Sequence, residues 1–239
     1  MIASRSRCAT PRATCPSAAS TSGWCATPRR ATEPVKLYSY FRSSAAYRLR
    51  IALNLKGLDV DYVPVNLLKT EQQASAYRDL NPMGLVPTLQ LDDGTALIQS
   101  VAVLEWLEEQ HPQPSLLPQD ALARARVRAM VNIVAADTHP ICNLAVLGYL
   151  KQHFGADDAA VAAWYRHWVT RGLTALEVMI AESPGPYCLG STLTLADVCL
   201  VPQIYNARRF DVPLGDFPRL VAVNEHCISL PGFAAAAPE

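Results

Sequence analysis

Two adjacent serines, Ser43 and Ser44, follow Arg42 directly ahead of an amphipathic segment in the stretch 41-FRSSAAYRLRIALNLKG-57. The first turn of an α-helix carries unpaired backbone N–H groups and a partial positive charge, so that it attracts an anion. Serine is also a preferred N-cap residue, and the same hydroxyl group can serve helix folding. The stretch therefore predicts an anion site at a helix start, and it leaves open which serine caps the helix.

The composition describes a chain that can fold around a hydrophobic core. Half of the 239 residues are hydrophobic (50%), 18% are charged, and the formal net charge is zero. We expect neither a nucleic-acid nor a membrane partner, because there is no basic excess and no apolar run approaches the length of a membrane span. The seven cysteines form no C-x-x-C pair and no metal-ligand spacing with histidine. This pattern predicts reduced thiols in a cytoplasmic protein, and no metal site.

The first 34 residues differ in composition from the rest of the chain. They contain five arginines, one acidic residue and three of the seven cysteines, without hydrophobic periodicity. An arginine-rich and serine-rich leader with few acidic residues resembles an organelle transit peptide. A disordered tail, or translation that starts later at Val35, is the interpretation we favour. Residues 1–34 are therefore excluded from the fold prediction as a disordered or untranslated extension.

The chain from residue 36 to residue 110 alternates between short β-rich segments and helix-prone segments. The predicted strands are 36–40, 60–67, 86–91 and 95–99, and the predicted helices are 44–58, 70–80 and 101–110. Pro64 indicates an edge or a break in the second strand. The tripeptide 92-DDG-94 predicts a hairpin between the last two strands.

The segments after the proline-rich stretch 111–119 are helix-prone throughout. The predicted helices are 120–152, 158–182, 194–209 and 217–228. Thr194 and Asp197 have the spacing of a capping box, in which each residue satisfies a backbone N–H group of the other. We interpret this pair as folding chemistry. The whole order predicts a small α/β unit followed by an all-helical unit.

Several stretches resemble the zeta class of cytosolic glutathione transferases, the class of the maleylacetoacetate isomerases. The stretch 43-SSAAYRLRIAL-53 is similar to the SSCxWRVRIAL signature of that class, and further matches are 38-YSYFRSS-44, 80-LNPMGLVPTL-89, 115-SLLPQD-120 and 194-TLADVCLVPQ-203. The resemblance covers residues 36 to about 235. It implies the cytosolic glutathione transferase fold: an α/β thioredoxin-like N-terminal domain (35–113) and an all-α C-terminal domain (119–239). The chain departs from the signature at Ala45, where the family has a cysteine, and at Tyr47, where it has a tryptophan.

The resemblance also implies a glutathione site. The implied glutathione-binding residues are Ser43, Ser44, Gln73, Val86, Gln99, Ser100, His139 and Asn143. Ser43, and Ser44 as second choice, would face the glutathione sulfur and act in catalysis. A cis bond before Pro87 would aim the Val86 backbone at the peptide part of glutathione. Gln99 and Ser100 would hold the γ-glutamyl carboxylate at a helix N-terminus, where Ser100 also suits an N-cap.

The reaction that the resemblance implies is a glutathione-dependent cis–trans isomerisation. The thiolate adds to an activated double bond, the bond rotates while it is single, and elimination of glutathione restores it in the trans form. Arg42 and Arg209 are the implied partners of a dicarboxylate-like substrate, because a guanidinium group suits carboxylate recognition. Arg208 is expected to be a surface charge. The family also implies a homodimer.

Three alternative functions stay open from the sequence. The first is maleylpyruvate isomerisation, although the apolar residues 144-LAVL-147 favour the longer maleylacetoacetate. The second is glutathione conjugation or dehalogenation of α-haloacids by the same thiolate. The third is a binding module without catalysis, which is disfavoured because the implied serines and Arg209 are all present.

Overall fold

A computed structural model describes residues 35–238, and the prediction made for residues 1–34 lies outside this range. The first part contains short strands alternating with helices in the predicted order. Its elements are β1 (Lys36–Ser39), α1 (Ser44–Leu55), β2 (Asp61–Pro64), α2 (Ser75–Leu80), β3 (Thr88–Gln90), β4 (Ala96–Ile98) and α3 (Ser100–Gln110). Each strand is shorter than its predicted segment. The front of the predicted helix 70–80 is a 3₁₀ turn, Glu71–Gln73.

The four strands form one mixed sheet in the order β2-β1-β3-β4. β1 is parallel to β2 and antiparallel to β3, so that Leu37 lies opposite Tyr62 on one side and opposite Leu89 on the other. β3 and β4 pair in antiparallel fashion, which confirms the predicted hairpin. Pro64 ends the edge strand β2, where the missing N–H group of proline is tolerated.

Beyond α3 the regular elements of the described chain are helices, apart from two isolated β-bridges. The helices are α4 (Ala121–Asn132), α5 (Leu144–Phe154), α6 (Asp158–Ala181), α7 (Leu195–Arg209), α8 (Pro218–Ile228) and α9 (Pro231–Ala234). An α/β part followed by an all-α part confirms the predicted fold class.

Helix α1 is buried along most of its length because it contacts helices from both parts of the chain. It packs against α3 of the first part and against α7 and α9 of the second. Leu49, Ile51 and Ala52 are completely inaccessible to solvent. Arg50 donates hydrogen bonds to the carbonyl oxygens of Ala236 (2.9 Å) and Phe41 (3.0 Å). The start of α1 is therefore held in a fixed position.

The prediction of one continuous helix over 120–152 is wrong. The elements found there are α4, a π-helical turn (Ile133–Thr138), a 3₁₀ turn (Pro140–Cys142) and α5. Pro140 has no N–H group to continue a helix. Asn143 has extended backbone and caps α5, since its side chain accepts a hydrogen bond from the N–H group of Val146 (3.0 Å). As a result His139 and Asn143 lie on a bend and not along a helix face.

The same region bears on the prediction that no apolar run approaches a membrane span. The stretch Ala121–Phe154 contains an 18-residue window with a mean hydropathy of 1.3, which by length and composition alone would suit such a span. That prediction was therefore too strong. A span in lipid needs its backbone hydrogen bonds satisfied within the segment, whereas this stretch is interrupted at Asn143, which has extended backbone. We interpret it as a bent part of the helical core.

The predicted capping box at the start of α7 is confirmed. Thr194 Oγ1 accepts a hydrogen bond from the N–H group of Ala196 (3.3 Å), and the Asp197 carboxylate accepts one from the N–H group of Thr194 (2.7 Å). Asp197 also accepts a hydrogen bond from the N–H group of Cys188 (2.7 Å). Thr194 and Asp197 are fully buried, so this helix start is closed to ligands.

The proline-rich connection 111–119 is tied to the end of α1. Lys56 forms a 2.6 Å ion pair with Glu108 of α3 and donates to the carbonyl oxygen of His111 (2.7 Å). The Glu108 carboxylate in turn accepts a hydrogen bond from the N–H group of Leu116 (3.0 Å). Because the charges of this buried pair are satisfied by each other and by backbone groups, the connection is a fixed part of the fold.

Candidate functional site

A cavity of about 320 Å³ lies beside the start of α1. Its wall combines the connection between β1 and α1 with segments 67–73 and 84–86, with the bend at 139–145, and with the C-terminal half of α7. The cavity gathers most of the residues predicted from the sequence. Those in its wall are Arg42, Ser43, Ser44, Gln73, Val86, His139, Asn143 and Arg209, whereas Gln99 and Ser100 are not among them.

Ser43 is the N-cap residue of α1. The N–H group of Ala46 donates a hydrogen bond to Ser43 Oγ at 3.2 Å, which uses a lone pair of the hydroxyl oxygen. A serine hydroxyl also has one proton to donate, and this proton stays available to an acceptor in the cavity. Capping and anion binding are therefore compatible at this single side chain.

Ser44 is almost completely buried and is bonded to a distant histidine. Its Oγ lies 2.9 Å from His139 Nδ1, and the two residues are 95 positions apart in the chain. This contact closes the bend of the helical part onto the start of α1. Because the Ser44 hydroxyl is engaged there, the geometry favours Ser43 as the donor to a bound anion.

His139 acts in this contact as a neutral imidazole. Burial, followed by the positive charge of Arg48, lowers the pKa of His139 from 6.5 to about 3. The ring is therefore uncharged at neutral pH. It orients Ser44 through a hydrogen bond and contributes no net charge to the cavity.

The turn before β3 forms part of the cavity wall. The Val86–Pro87 peptide bond is cis, as the resemblance implied. Gly84 has a φ of +60°, and a Cβ atom at this position would lie 2.9 Å from the carbonyl oxygen of Gln72, so that glycine is required here. Gln73 Nε2 donates to the carbonyl oxygen of Gly84 (3.2 Å), which attaches Gln73 to the same turn.

Gln99 and Ser100 form the start of α3, outside the cavity wall. Gln99 is the N-cap residue, with a φ of +69° and no capping hydrogen bond from its side chain. Ser100 is the first helical residue, and the expectation that it caps the helix is wrong. The physical reason is a distant partner, because Ser100 Oγ accepts a hydrogen bond from Arg48 Nη1 at 3.1 Å.

Arg42 and Arg209 line the cavity from two different parts of the chain. Each guanidinium group lies over a neighbouring ring, 5.0 Å from the centroid of Phe41 and 5.1 Å from that of Phe210. Within residues 35–238 neither arginine forms an ion pair, and no aspartate or glutamate lines the cavity. This wall therefore favours an anionic ligand.

Arg208 is a surface charge, as predicted. It is exposed and forms an ion pair with Glu225 at 2.5 Å. It does not line the cavity, although its neighbour Arg209 does. The difference follows from helix geometry, since successive side chains point about 100° apart.

The described thiols supply no nucleophile to the cavity. Cys142 is in the wall, but burial raises its pKa to about 12, and burial likewise raises the pKa of Cys188, Cys199 and Cys227. Ala45, where the family has a cysteine, is buried and does not line the cavity. Within residues 35–238, therefore, no thiol is suited to act as a thiolate in this cavity. Residues 35–238 also bring together no cluster of side chains that could hold a metal ion.

Several polar residues of the wall were not predicted from the sequence, namely Tyr40, Gln72, Tyr165, Gln203 and Asn206. Gln203 and Asn206 precede Arg209 on α7 by about two helical turns and one, so helical spacing from Arg209 could have identified them. Asn206 Oδ1 is buried without a hydrogen-bond partner and can accept a hydrogen bond from a ligand. Tyr165 stacks on Phe210 from α6, with 4.1 Å between the ring centroids, a contact that no local pattern predicts.

Comparison with known proteins agrees with this geometry. Residues 42–110 match the model of the glutathione S-transferase N-terminal domain. The maleylacetoacetate isomerase of Pseudomonas aeruginosa is 48% identical to the chain over 206 residues, which are 85% of this chain and 96% of that relative.

Two solved structures extend the comparison to the fold. One is the holo structure of a maleylpyruvate isomerase, described as a bacterial glutathione S-transferase in the zeta class, with 49% identity, a TM-score of 0.83 and coverage of 85% and 96% of the two chains. The other is maleylacetoacetate isomerase from Anaeromyxobacter dehalogenans with bound dicarboxyethyl glutathione and citrate, with 45% identity, a TM-score of 0.77 and coverage of 86% and 94%. The chain belongs to the zeta-class glutathione transferases, the family that includes the maleylacetoacetate isomerases.

Proposed function

We propose that this protein is a glutathione-dependent cis–trans isomerase that converts maleylacetoacetate to fumarylacetoacetate in the catabolism of tyrosine and phenylalanine. One observation carries the proposal. The start of α1 offers a hydroxyl proton to a cavity whose described wall contains two arginines without ion pairs and no carboxylate. Such a site suits a thiolate together with an acid substrate.

The residues present suit glutathione. Val86, at the cis-proline turn, lines the same cavity as Ser43, and the buried Gln72 Oε1 in this wall has no hydrogen-bond partner among the described residues. An unpaired buried polar atom is costly, so this oxygen is well placed to accept a hydrogen bond from a ligand. When bound, glutathione supplies a thiolate that adds reversibly to the double bond and allows it to rotate.

Ser43 and the start of α1 can keep the thiol ionised. A free thiol with a pKa near 8.5 is only about 3% ionised at pH 7, and lowering the pKa by about two units requires about 2.7 kcal/mol. A hydrogen bond to a charged group contributes about 1.5–3 kcal/mol, and a helix terminus about 0.3–2 kcal/mol. The hydroxyl proton of Ser43 and the N–H groups that follow it are sufficient for this shift.

Arg42 and Arg209 are the proposed carboxylate partners of the substrate. Their guanidinium groups carry planar pairs of N–H donors that match a carboxylate. Holding the acid in one orientation beside the sulfur removes rotational freedom before the reaction. The same charges favour the negative charge that develops on the substrate oxygen when the thiolate adds.

Maleylpyruvate is the alternative substrate. The relatives do not discriminate between the two, since the chain is 48% identical to a maleylacetoacetate isomerase and 49% identical to a maleylpyruvate isomerase. Leu144 and Ala145 line the cavity after Asn143 and are apolar. An apolar wall suits the longer carbon chain of maleylacetoacetate better than a shorter acid with closely spaced charges.

We also infer that the protein works as a cytoplasmic homodimer. The four described cysteines are free and buried, which fits a reducing compartment. Leu122 of α4 and Val178 of α6 are both 65% exposed, so apolar surface of the helical part is available to a second copy. Sedimentation of the purified protein tests this state, and a monomer at micromolar concentration would contradict it.

The test of the function is isomerisation of maleylacetoacetate and maleylpyruvate, followed by ultraviolet absorbance with and without glutathione. We expect turnover that requires glutathione and is faster on maleylacetoacetate. Ser43→Ala should lower kcat/KM by about 10- to 100-fold, because it removes a hydrogen bond to a charged sulfur. Binding of glutathione without turnover of either acid would contradict the proposal and favour conjugation.

The arginines provide a matched pair for substrate binding. Arg209→Met should raise the KM for the acid by about 10-fold or more, because a carboxylate partner is lost. Arg208→Met removes the same charge from the next residue and should leave kinetics unchanged, since its ion pair lies at the surface. Equal effects of the two substitutions on KM would show that Arg209 does not bind the substrate.

A further inference from the structure

Helix α1 contains two buried arginines, of which Arg50 has hydrogen-bond partners for its guanidinium nitrogens and Arg48, in the described part of the chain, lacks them for two of its three nitrogens. Arg50 is 9% exposed and donates hydrogen bonds to the carbonyl oxygens of Ala236 and Phe41 and to Ser39 Oγ. Arg48 is 1% exposed, and within residues 35–238 its one hydrogen bond is from Nη1 to Ser100 Oγ. The Arg48 Nε and Nη2 atoms have no partner among the described residues.

The charge of Arg48 is also unbalanced. Within residues 35–238 no carboxylate forms an ion pair with it. A guanidinium group remains charged in proteins, and a buried charge without an anion nearby is strongly unfavourable. The fold therefore maintains a buried positive charge at Arg48 at a cost in stability.

The position of Arg48 relates this charge to two helix starts. Ser44 lies four residues earlier on α1, so that the two side chains share one face of the helix. On its other side Arg48 contacts Ser100, the first residue of α3. Because Ser100 Oγ accepts a hydrogen bond from Arg48, its hydroxyl proton is directed away from Arg48 and can be donated to another acceptor.

We propose, on the basis of the function proposed above, that Arg48 is a positioning residue for glutathione, which orients the Ser100 hydroxyl and provides the counter-charge for the γ-glutamyl carboxylate at the start of α3. The N–H groups at the start of α3 and the left-handed backbone of Gln99 complete this anion site. The positive charge of Arg48 then neutralises the carboxylate without a direct contact between the two groups.

Arg48→Met separates this role from a structural one. Methionine is similar in length and has no charge, and replacing an unpaired buried ion by an apolar side chain is often neutral or stabilising. We expect the melting temperature to stay the same or rise, while calorimetry shows about 10- to 100-fold weaker binding of glutathione. Arg48→Lys retains the charge and should recover part of the affinity.

Arg50→Met is the matched control, because it should show the opposite pattern. It leaves the carbonyl oxygens of Ala236 and Phe41 without their donor, so the melting temperature should fall. The folded fraction should bind glutathione with nearly the affinity of the wild type. A loss of stability in Arg48→Met as large as in Arg50→Met, with unchanged affinity, would overturn the proposal.

A modified ligand identifies the group that Arg48 serves. Glutathione with its γ-glutamyl carboxylate converted to an amide should bind the wild type and Arg48→Met equally well. Unequal binding of this amide would show that Arg48 acts on another part of the ligand and would overturn the proposal. If the wild type binds no glutathione at all, the proposed function itself is wrong, which distinguishes the two failures.

Discussion

Two helices in this protein begin with the same capping chemistry, which serves a different purpose in each. α1 begins at Ser43 and α7 begins at Thr194, and in each case the side-chain oxygen accepts a hydrogen bond from a backbone N–H group of the first turn. The first turn of α7 contains Asp197, whose carboxylate accepts hydrogen bonds from Thr194 and Cys188. The first turn of α1 contains no acidic residue and faces a cavity.

The difference between them is the source of the anion. A helix N-terminus attracts negative charge wherever it occurs. α7 satisfies this attraction with its own buried carboxylate, and the result is a rigid element of the fold. α1 has no acidic residue in its first turn, and we propose that its anion comes from outside the chain. The cap residue alone does not distinguish a folding element from a binding site.

Removing the internal anion of α7 should have the largest effect. Asp197→Ala leaves the buried N–H groups of Thr194 and Cys188 unpaired, which should lower the free energy of unfolding by about 3–5 kcal/mol. Urea unfolding measures this loss. Asp197→Asn keeps one acceptor oxygen and should give an intermediate value. A loss below about 1 kcal/mol would mean that the carboxylate does not hold this helix start.

A carboxylate introduced at the start of α1 should make this helix start resemble that of α7. Aspartate caps helices as well as serine does, so Ser43→Asp should change the free energy of unfolding by less than about 1 kcal/mol. Its charge would occupy the place of the ligand anion, and repulsion between charges about 4 Å apart near a protein surface is about 4 kcal/mol. We expect affinity for glutathione to fall by about 100-fold or more, measured by calorimetry. Thr194→Asp is no equivalent test, because Asp197 is already there. Ser43→Asn, a neutral cap, is the control that should bind more tightly than Ser43→Asp.

Acidification should lower the stability of the protein through His139, the neutral histidine that is hydrogen-bonded to Ser44. This effect should be smaller than the two above. His139 has a folded-state pKa of about 3 and an unfolded value near 6.5, so below pH 6.5 only the unfolded chain takes up the proton. Its contribution to stability is complete above pH 6.5 and is lost as the pH falls, by at most about 1.4 kcal/mol per pH unit. Burial raises the pKa of Asp197, and this group acts in the opposite direction.

The variant His139→Asn isolates the contribution of His139 to the pH dependence of stability. Asparagine can keep a hydrogen bond to Ser44 and does not titrate. Urea unfolding at pH 6.5 and pH 5.5 should show a smaller loss of stability on acidification in the variant than in the wild type, by about 1 kcal/mol. Identical pH dependence in both proteins would mean that His139 is protonated in the folded state.

Local features of the fold could be predicted from the sequence, and distant contacts could not. The hairpin between β3 and β4 and the capping box at Thr194 depend on residues within a few positions of each other. The helix predicted over 120–152 is broken at Pro140 and Asn143, although the segment is apolar and helix-prone on both sides of them. These two residues were the local signal for the bend.

The candidate site likewise combines residues that local motifs predict with distant contacts that they do not. Ser43 and the cis-proline turn were predicted from short motifs, and the structure brings them to one cavity. The partner of Ser44 is His139, 95 positions away, and the partner of Ser100 is Arg48, 52 positions away. No local propensity encodes such pairs, since they depend on how α1 packs between the two parts of the chain.

The contact between Arg50 and Ala236 affects how the protein can be synthesised. The donor lies in the helix that carries Ser43, and the acceptor is 186 positions later, close to the end of the chain. A ribosome produces the N-terminal part first, and that part waits for the C-terminal segment before its buried guanidinium group is satisfied. Helix α1 therefore cannot complete its buried contacts before residue 236 has been synthesised, and a chain that ends before Ala236 would carry the candidate site residues on an incomplete support.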